Sequence, residues 1–319
     1  VPPTPHDFRT KGGAQITVKG RYFGTEAVKV TIGGKPCTND AAGNDATIKP
    51  VSVGPTNERR QTLQCYVPEG QGPNTTNILQ VEKGSQRSCA KLSSNGLCKP
   101  LFVAYKRPRI ANLTRNNVPT SGEVIRISGN NLGTFGLIKV NDVVVSSGAV
   151  TWIKKHEEIE VRFPPGEGKA HSLTVDVSSQ VDELCTDRCT IDYDPPFYVD
   201  VVPDHGATAA KNVITLTGNN FGLSRGGNYP HRGAYNYSGP SVTLGGRDCA
   251  VTTFTHTSLS CVVPEGFGVN KLVVVTVQGQ ASTSNLTYYY DPPEVASILP
   301  GASPTSGLVR RYGDPLNVT

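Results

Sequence analysis

The sequence predicts an all-β chain of three tandem β-sandwiches, each about the size of an immunoglobulin domain. Three observations predict this class. Apolar and polar residues alternate along many short segments, turn-forming residues separate those segments, and the same series of segments occurs three times. The chain has 319 residues, with 34 glycines and 24 prolines. That abundance of turn residues argues against a helical protein, because glycine and proline weaken helix interiors.

The strand that opens each series carries the clearest repeat. Residues 16–24, 125–133 and 214–222 read ITVKGRYFG, IRISGNNLG and ITLTGNNFG. Apolar residues at every second position are typical of half-buried strands. A short hairpin follows, and its turn is predicted at residues 33–34, 141–142 and 245–246. Those pairs are Gly-Gly, Asn-Asp and Gly-Gly, which suit two-residue turns with left-handed backbone.

Later blocks complete each sandwich. Residues 63–70, 159–166 and 259–266 read LQCYVPEG, IEVRFPPG and LSCVVPEG. An apolar strand comes next, and each repeat closes on an aromatic strand at 102–105, 191–193 and 288–290. About seven short strands in roughly 100 residues indicate an immunoglobulin-like sandwich. The predicted domains are residues 1–106, 107–194 and 195–291.

These blocks together resemble the IPT/TIG domain family, immunoglobulin-like modules found in plexins, transcription factors and many surface proteins. The resemblance covers nearly the whole chain. The second repeat departs from it, because that repeat lacks two cysteines and has Phe-Pro-Pro-Gly where the others have Val-Pro-Glu-Gly. The resemblance implies three IPT/TIG sandwiches. It implies little about function, since one fold hosts many functions.

The two ends of the sequence differ from the repeats between them. Repeats two and three begin with a short strand, at 109–113 and 197–202, whereas residues 1–4 are half proline, so the first strand of domain 1 is expected to be missing. Residues 292–319 are predicted to be the start of a fourth unit or a donor-strand tail. In the first case the sequence is part of a longer series of such domains, cut at an arbitrary point. In the second, the tail of one copy fills the gap in the next through Val295, Ile298 and Leu299.

Eight cysteines predict four disulfides. Alignment of the repeats places Cys37 with Cys249 and Cys65 with Cys261, and the second repeat has valines at both positions. A cysteine pair replaced by a valine pair indicates two facing core positions. The alternatives are a free thiol or an intermolecular disulfide in place of a local one, and a zinc site at Cys185 and Cys189. Disulfides indicate an oxidising, extracellular or cell-surface location. The predicted pairs are Cys37–Cys65, Cys89–Cys98, Cys185–Cys189 and Cys249–Cys261.

Five sequons predict an N-glycosylated protein, with N-linked glycans as its only expected attached groups and no cofactor or metal. An isolated sequon is weak evidence, but five in one cysteine-rich chain favour a glycoprotein. The acceptors are Asn74, Asn112, Asn236, Asn285 and Asn317.

The sequence contains none of the common catalytic motifs, so the chain is not predicted to be an enzyme. The sequence has no phosphate-binding loop, no His-Glu-x-x-His and no nucleophile elbow. Its six histidines are scattered, and each is expected on a loop or a solvent face. The net charge of +5 is spread over separate regions, which argues against a nucleic-acid partner. No segment has the 18 or so apolar residues that a membrane span needs, so none is predicted in this sequence.

Two further features are candidate contact sites. Repeat three has an insertion at residues 224–238, whose Tyr229, Tyr235 and Tyr237 stand among arginines and a histidine. Tyrosine and arginine are enriched in recognition surfaces, although a flexible glycosylated loop is the alternative. Trp152, the sole tryptophan, either caps a core or forms an exposed contact.

The function predicted from these features is that of an extracellular structural or adhesive glycoprotein. In this prediction the chain is the repeating subunit of a fibril or surface filament assembled head to tail, and its partner is itself or another surface protein. The alternatives are the stalk of a plexin-like receptor ectodomain and the glycan-binding accessory domains of a secreted enzyme.

Overall fold

Each of the three repeats forms two layers of β-strands around its own core, and we name the repeats domains 1, 2 and 3. The described residues form two compact units, one within residues 7–194 and the other within residues 195–223, 239–299 and 317–318. Domains 1 and 2 lie in the first unit and domain 3 in the second. The structure is a computed structural model, and it describes residues 7–43, 47–52, 60–73, 75–88, 91–92, 98–182, 185, 189–209, 211–223, 239–299 and 317–318.

Domain 1 has a sheet of order β1-β11-β7-β3-β4, with β8 beside β7, and a second sheet of order β2-β6-β5. The short strand β1 runs parallel to β11, and the other pairs are antiparallel. The core lies between the layers and includes Val30, Leu63 and Tyr105. The strands are β1 (Asp7–Phe8), β2 (Gln15–Arg21), β3 (Lys29–Ile32), β4 (Lys35–Pro36), β5 (Val51–Ser52), β6 (Arg60–Tyr66), β7 (Asn77–Lys83), β8 (Gln86–Arg87), β9 (Lys91–Leu92), β10 (Cys98–Lys99) and β11 (Leu101–Tyr105).

Domain 2 repeats this plan with one addition, a first strand. One sheet has the order β12-β14-β18-β17 and the other β13-β20-β19-β15-β16. Strand β13 is parallel to β20, as β1 is to β11. The strands are β12 (Arg109–Leu113), β13 (Asn117–Val118), β14 (Val124–Asn130), β15 (Leu137–Val140), β16 (Val143–Val144), β17 (Val150–Lys154), β18 (Glu158–Arg162), β19 (His171–Asp176) and β20 (Thr190–Tyr193).

Domain 3 joins its two layers through one long strand, β25, which pairs with β24 at its beginning and with β26 further along. The order is β21-β23-β26-β25-β24-β27-β29-β22, with β28 beside β27. After it, β30 and β31 form a short antiparallel pair. The strands are β21 (Phe197–Val202), β22 (His205–Gly206), β23 (Val213–Asn219), β24 (Ser241–Leu244), β25 (Arg247–Phe254), β26 (Ser258–Val262), β27 (Lys271–Val277), β28 (Gln280–Ala281), β29 (Thr287–Tyr290), β30 (Ile298–Leu299) and β31 (Asn317–Val318).

The predicted fold class is confirmed, because each repeat is an all-β immunoglobulin-like sandwich. The predicted hairpin turns have left-handed backbone, with φ of 57° and 80° at Gly33 and Gly34 and 46° and 65° at Asn141 and Asp142. Glycine, asparagine and aspartate tolerate this conformation better than other residues do. Within the described part of the chain, the structure has no helix with the length and apolar character of a membrane span.

A tyrosine on the last strand of each domain fastens the loop that follows its Pro-Glu-Gly or Pro-Pro-Gly segment. The phenol of Tyr105 donates to the carbonyl of Pro68 at 3.0 Å, and the same bond joins Tyr193 to Pro164 at 2.9 Å and Tyr290 to Pro264 at 2.8 Å. In each domain the tyrosine main-chain N–H also donates to a loop glycine two residues after the Gly of that segment. We call this arrangement the tyrosine–loop bond.

Glycine is required beneath each of these rings. A Cβ added at Gly70, Gly166 or Gly266 would lie 2.3, 2.2 or 2.5 Å from the Cζ of the tyrosine, which is shorter than any van der Waals contact. Burial raises the pKa of Tyr105 and of Tyr290, so these phenols stay protonated and able to donate.

Replacing Gly166 tests this packing. We expect Gly166→Ala to lower the free energy of unfolding by about 1–3 kcal/mol, because the added methyl group overpacks the site against the Tyr193 ring. The measurement is calorimetric unfolding of the full chain. Gly148→Ala is the matched control in the same domain, since its Cβ would meet no atom within 4 Å. Equal stability of the two variants would contradict the account.

Candidate assembly interfaces

The first strands of domains 2 and 3 cover one edge of their sandwiches. Strand β12 pairs with β14, so that Ile110 lies opposite Gly129 and Leu113 opposite Ile127. Strand β21 pairs with β23 in the same register, with Tyr198 opposite Gly218 and Val201 opposite Leu216. A Cβ on either glycine would lie about 2 Å from a carbonyl oxygen of the first strand. Glycine at this position therefore lets the first strand lie against the sheet.

Domain 1 lacks this cover among its described residues. Strand β2 is equivalent to β14 and β23, and it pairs with β6 on one side only. Its inward residues Ile16 and Val18 are half-buried, whereas the equivalent Ile125 and Ile127 of domain 2 are 0% exposed. The backbone edge and the apolar side chains of β2 therefore remain accessible along the same face.

A groove of about 640 Å³ lies along this face of domain 1. The ring of Phe23 fills the space above Gly20, where domains 2 and 3 have the backbone of a first strand. The groove is otherwise open among the described residues, and a strand laid along β2 would have to displace the Phe23 ring. Its lining includes Val18, Tyr22, Phe23, Val28, Val81 and Leu101.

The segment after domain 3 has the spacing of a first strand. In domains 2 and 3 the inward residues Ile110 and Tyr198 come five residues after the tyrosine that ends the preceding domain, and Leu113 and Val201 come eight residues after it. The same count from Tyr290 reaches Val295 and Ile298.

The predicted contact residues of this segment are only partly described. Val295 is 59% exposed. Ile298 and Leu299 form β30, which pairs with β31 through Val318 and Asn317.

A polar junction joins domains 1 and 2 within the first unit. Gln71 lies in the loop after the Pro-Glu-Gly segment of domain 1. Its Oε1 accepts from the N–H of Thr134 at 2.9 Å, and its Nε2 donates to the carbonyl of Phe135 at 3.1 Å and to Oγ of Ser178 at 2.9 Å. Gln180 donates in the opposite direction, to the carbonyl of Tyr105, at 3.0 Å.

The sequence interpretation missed this junction. Its signal was the loop position after each Pro-Glu-Gly or Pro-Pro-Gly segment, where Gln71, Glu167 and Phe267 differ although the flanking glycines are the same. A position that differs between repeats inside an otherwise repeated loop can make a contact that occurs in one repeat and not in the others.

Charged groups surround the polar junction. Glu69 lies 3.4 Å from Nζ of Lys35 and 3.4 Å from Nε2 of His156. Partial burial acts to raise the pKa of Glu69, but the hydrogen bond with His156 and the charges of Lys35 and Lys155 outweigh it and lower this pKa. Burial lowers the pKa of His156, against the opposing effect of Glu69. His156 is therefore neutral at pH 7.

Two histidines were expected on loops or solvent faces and are instead buried. His156 occupies a turn with φ of 68° and is 4% exposed, and His171 is 5% exposed on β19. Burial lowers the pKa of His171 as well. Its Nε2 hydrogen-bonds the carbonyl of Glu167 at 2.8 Å and its Nδ1 the side chain of Asn141 at 3.0 Å, so the neutral ring is satisfied without solvent.

The structure forms two of the predicted disulfides, Cys185–Cys189 and Cys249–Cys261. It differs from the prediction at Cys37 and Cys65, which are free and buried. The two side chains do face each other in the core of domain 1. The interaction with Cys65, together with burial, raises the pKa of Cys37. The pair Cys89–Cys98 lies outside the described side chains.

The other predicted sites are located as follows. The acceptors Asn112 and Asn285 are exposed, while Asn74, Asn236 and the side chain of Asn317 lie outside the described residues, as do Tyr229, Tyr235 and Tyr237. Trp152 caps the core of domain 2, where its Nε1 donates to the carbonyl of Leu132 at 2.9 Å. Among the residues that the structure describes, no group of three or more histidine, cysteine or acidic side chains has the arrangement of a metal site.

Comparison with known families decides the classification. The model of the IPT/TIG domain matches residues 4–96 and 196–290, which is more than half of the chain. The chain belongs to the IPT/TIG domain family. The TIG match falls on domains 1 and 3. Domain 2 lies outside the matched residues, but it is a TIG-like sandwich by its sheets and by its bond between Tyr193 and Pro164.

Several solved structures resemble parts of this TIG chain. A plexin A4 extracellular region is 16% identical, with 87% of this chain and 32% of that chain covered and a TM-score of 0.27. A surface glycan-binding protein from Prevotella bryantii is 15% identical over 57% of this chain and 42% of that one, with a TM-score of 0.33. The I9-I11 tandem of titin is 10% identical, with 88% of this chain and 94% of that chain covered and a TM-score of 0.25. No curated protein matches the chain.

The buried histidines predict acid sensitivity of the first unit. Because folding lowers the pKa of His156 and His171 from about 6.5, the unfolded chain binds more protons below that pH. Stability is therefore complete above about pH 6.5 and falls as the pH drops towards the lowered values. We expect the Tm of the first unit to decrease by several degrees between pH 7 and pH 5 in calorimetry.

Substitution isolates the histidine contribution. His171→Gln keeps a donor and an acceptor but cannot titrate, so its Tm should fall less over the same pH range. His205→Gln is the control, because His205 is half-exposed and lies in domain 3. A wild-type Tm that does not change between pH 7 and pH 5 would refute the assignment.

Proposed function

We propose that this chain is a non-enzymatic, extracellular structural or adhesive glycoprotein whose copies join head to tail into a filament. In the joint, residues 294–299 of one copy pair with β2 of the next, at the place that β12 and β21 take in domains 2 and 3. The observation that carries the proposal is the open edge of β2 and its groove, at the place where the other two domains have β12 and β21. The partner is a second copy of this chain, and no nucleic acid is involved.

Equivalence between the domains predicts a register for the proposed joint. Tyr198 lies opposite Gly218 and Val201 opposite Leu216. The same register places Val295 opposite Gly20 and Ile298 opposite Val18. It also places Glu294 opposite Arg21, at the position where Phe197 meets Asn219. Opposite charges facing each other across an antiparallel pair are stabilising.

The favourable and unfavourable contributions to the free energy of forming the strand joint are of similar size. Burial of one valine and one isoleucine contributes about 3–6 kcal/mol. About four main-chain hydrogen bonds add roughly 0.5–1.5 kcal/mol each. Association costs about 4–15 kcal/mol in lost translational and rotational freedom. The strand alone is therefore a weak joint, and a durable filament needs a further contact between copies.

Chemical features support an extracellular setting for such a filament. The disulfides Cys185–Cys189 and Cys249–Cys261 are compatible with an oxidising compartment. Exposed sequons at Asn112 and Asn285 suit glycan attachment. Asn112 points to solvent from β12, so a glycan there leaves the core undisturbed.

A substitution in the tail tests the joint. Ile298→Asp places a charge at the position opposite Val18 in the groove, and we expect it to abolish filaments in negative-stain electron microscopy and to leave a monomer in light scattering. Ser297→Asp is the matched control, because the equivalent residue of domain 3 is the exposed Asp200. Filaments of normal length from Ile298→Asp would falsify strand donation. A wild-type chain that is monomeric at every concentration would favour the receptor-stalk or glycan-binding alternative.

A charge exchange tests the register separately. Glu294→Arg should shorten filaments, because it places two positive charges opposite each other, and the double variant Glu294→Arg with Arg21→Glu should restore them. Equal filament lengths in the single and double variants would refute the register while leaving donation itself in place.

Glycan attachment is checked on the native material. We expect mass spectrometry of peptides to find glycan on Asn112 and Asn285, and Asn112→Gln to remove one glycan mass without lowering Tm. Unmodified peptides at both acceptors in secreted protein would contradict the glycoprotein assignment.

A further inference from the structure

We infer that a second contact joins the copies: the loop of domain 3 that carries Phe267 docks on residues 22–26 of domain 1 in the next copy. The inference rests on the proposed strand donation, because the donated strand brings these two loops together. Its partner is a second copy of this chain. Its chemistry is aromatic and apolar, unlike the polar junction between domains 1 and 2.

The template for this contact is the polar junction itself. There Gln71, from the loop of domain 1, is hydrogen-bonded to the main chain of Thr134 and Phe135 in domain 2. The chain then passes from Tyr105 to Ile110 and begins β12. The tyrosine–loop bond thus positions both features: it fixes the loop that carries Gln71, and its tyrosine ends the strand from which the chain continues into β12.

The tail reproduces the spacing of that arrangement. Five residues separate Tyr290 from Val295, as five separate Tyr105 from Ile110. We therefore place the tail on β2 in the same way that β12 lies on β14. Domain 1 of the next copy would then follow domain 3 in the orientation in which domain 2 follows domain 1. Phe267 then takes the place of Gln71, and Thr25 takes the place of Thr134.

The residues at this predicted contact are exposed and apolar. Phe267 is 75% exposed and Val269 is 64% exposed, in the loop fastened by Tyr290. On the opposing loop Tyr22 is 73% exposed. Large aromatic side chains left in water on both sides of a predicted contact are typical of an interaction surface.

The backbone at Tyr22 gives independent support. Its φ is 63°, and the equivalent Asn131 and Asn220 have φ of 59° and 63°. Asparagine tolerates this left-handed conformation, but for a bulky side chain it is strained. At the polar junction Asn131 accepts from the N–H of Thr10 at 3.2 Å. The exposed Tyr22 thus stands at the position whose equivalent, Asn131, bonds across the polar junction.

Charge also matches across the predicted contact. Nζ of Lys271 lies 5.9 Å from the centroid of the Phe267 ring, so the domain 3 loop carries a positive group beside its aromatic one. Residues 22–26 include the exposed Glu26, at the position of Phe135 in the template. An acidic residue opposite Lys271 complements the aromatic contact.

Engineered cysteines test the contact directly. In the double variant Phe267→Cys with Thr25→Cys, we expect oxidation without reductant to give a ladder of covalent oligomers on a denaturing gel. Both positions are exposed, so we expect the variant to fold. The control pairs Thr25→Cys with Val144→Cys, an exposed position in domain 2, and should give no ladder. Adding Ile298→Asp to the first pair should abolish its ladder, because the loops meet only when the strand is donated.

The outcomes separate this inference from the proposed function. Filaments that depend on Ile298, with no ladder from the cysteine pair, would overturn the loop contact and leave strand donation intact. Filaments that ignore Ile298→Asp would overturn donation itself, and with it this inference. A ladder that persists with Ile298→Asp would show that the loops meet without the strand, contrary to the inference. As a second measure, Phe267→Gln should raise the protein concentration for half-maximal assembly at least tenfold.

Discussion

The hydrogen bond from a buried tyrosine to a proline carbonyl is the interaction on which the rest of this structure depends. It occurs in all three domains, between Tyr105 and Pro68, Tyr193 and Pro164, and Tyr290 and Pro264. The bond fixes the loop that carries the variable contact residue, and the same tyrosine ends the strand from which the chain leaves the domain. One bond thus positions both the loop and the exit of the chain. In the first unit that coupling links the polar junction to the start of β12, since Gln71 lies in the loop and Tyr105 ends the strand before it.

The sequence predicts the strands and turns of this fold well because they depend on local pattern. Alternation identifies segments such as 214–222, and left-handed turns need residues such as Gly33 and Asn141. The polar junction was not predictable in this way, since Gln71 meets Thr134 only once two folded domains are placed side by side. Burial of His171 was missed for a similar reason: its partners, Asn141 and the carbonyl of Glu167, come from other parts of the sandwich.

The cysteines illustrate a different limit of sequence interpretation. Alignment with valines in domain 2 correctly placed Cys37 and Cys65 at facing positions in a core. Position alone does not decide whether two facing cysteines form a disulfide, because the bond also requires an oxidant and a close approach of the two sulfurs. Domain 3 has the disulfide between Cys249 and Cys261, whereas the equivalent Cys37 and Cys65 of domain 1 are free thiols.

The open edge of β2 raises the question of what prevents the chain from pairing without control, because an exposed strand edge invites aggregation. The structure offers a restraint at the other end of the chain. Ile298 and Leu299 are paired with Val318 and Asn317 as β30 and β31. In the proposed assembly, donation of the tail is an exchange of one strand partner for another. A two-stranded pair this short is only marginally stable, so the longer edge of β2 would be the better partner. The pairing of β30 with β31 would then occupy the tail until it meets the groove of another copy.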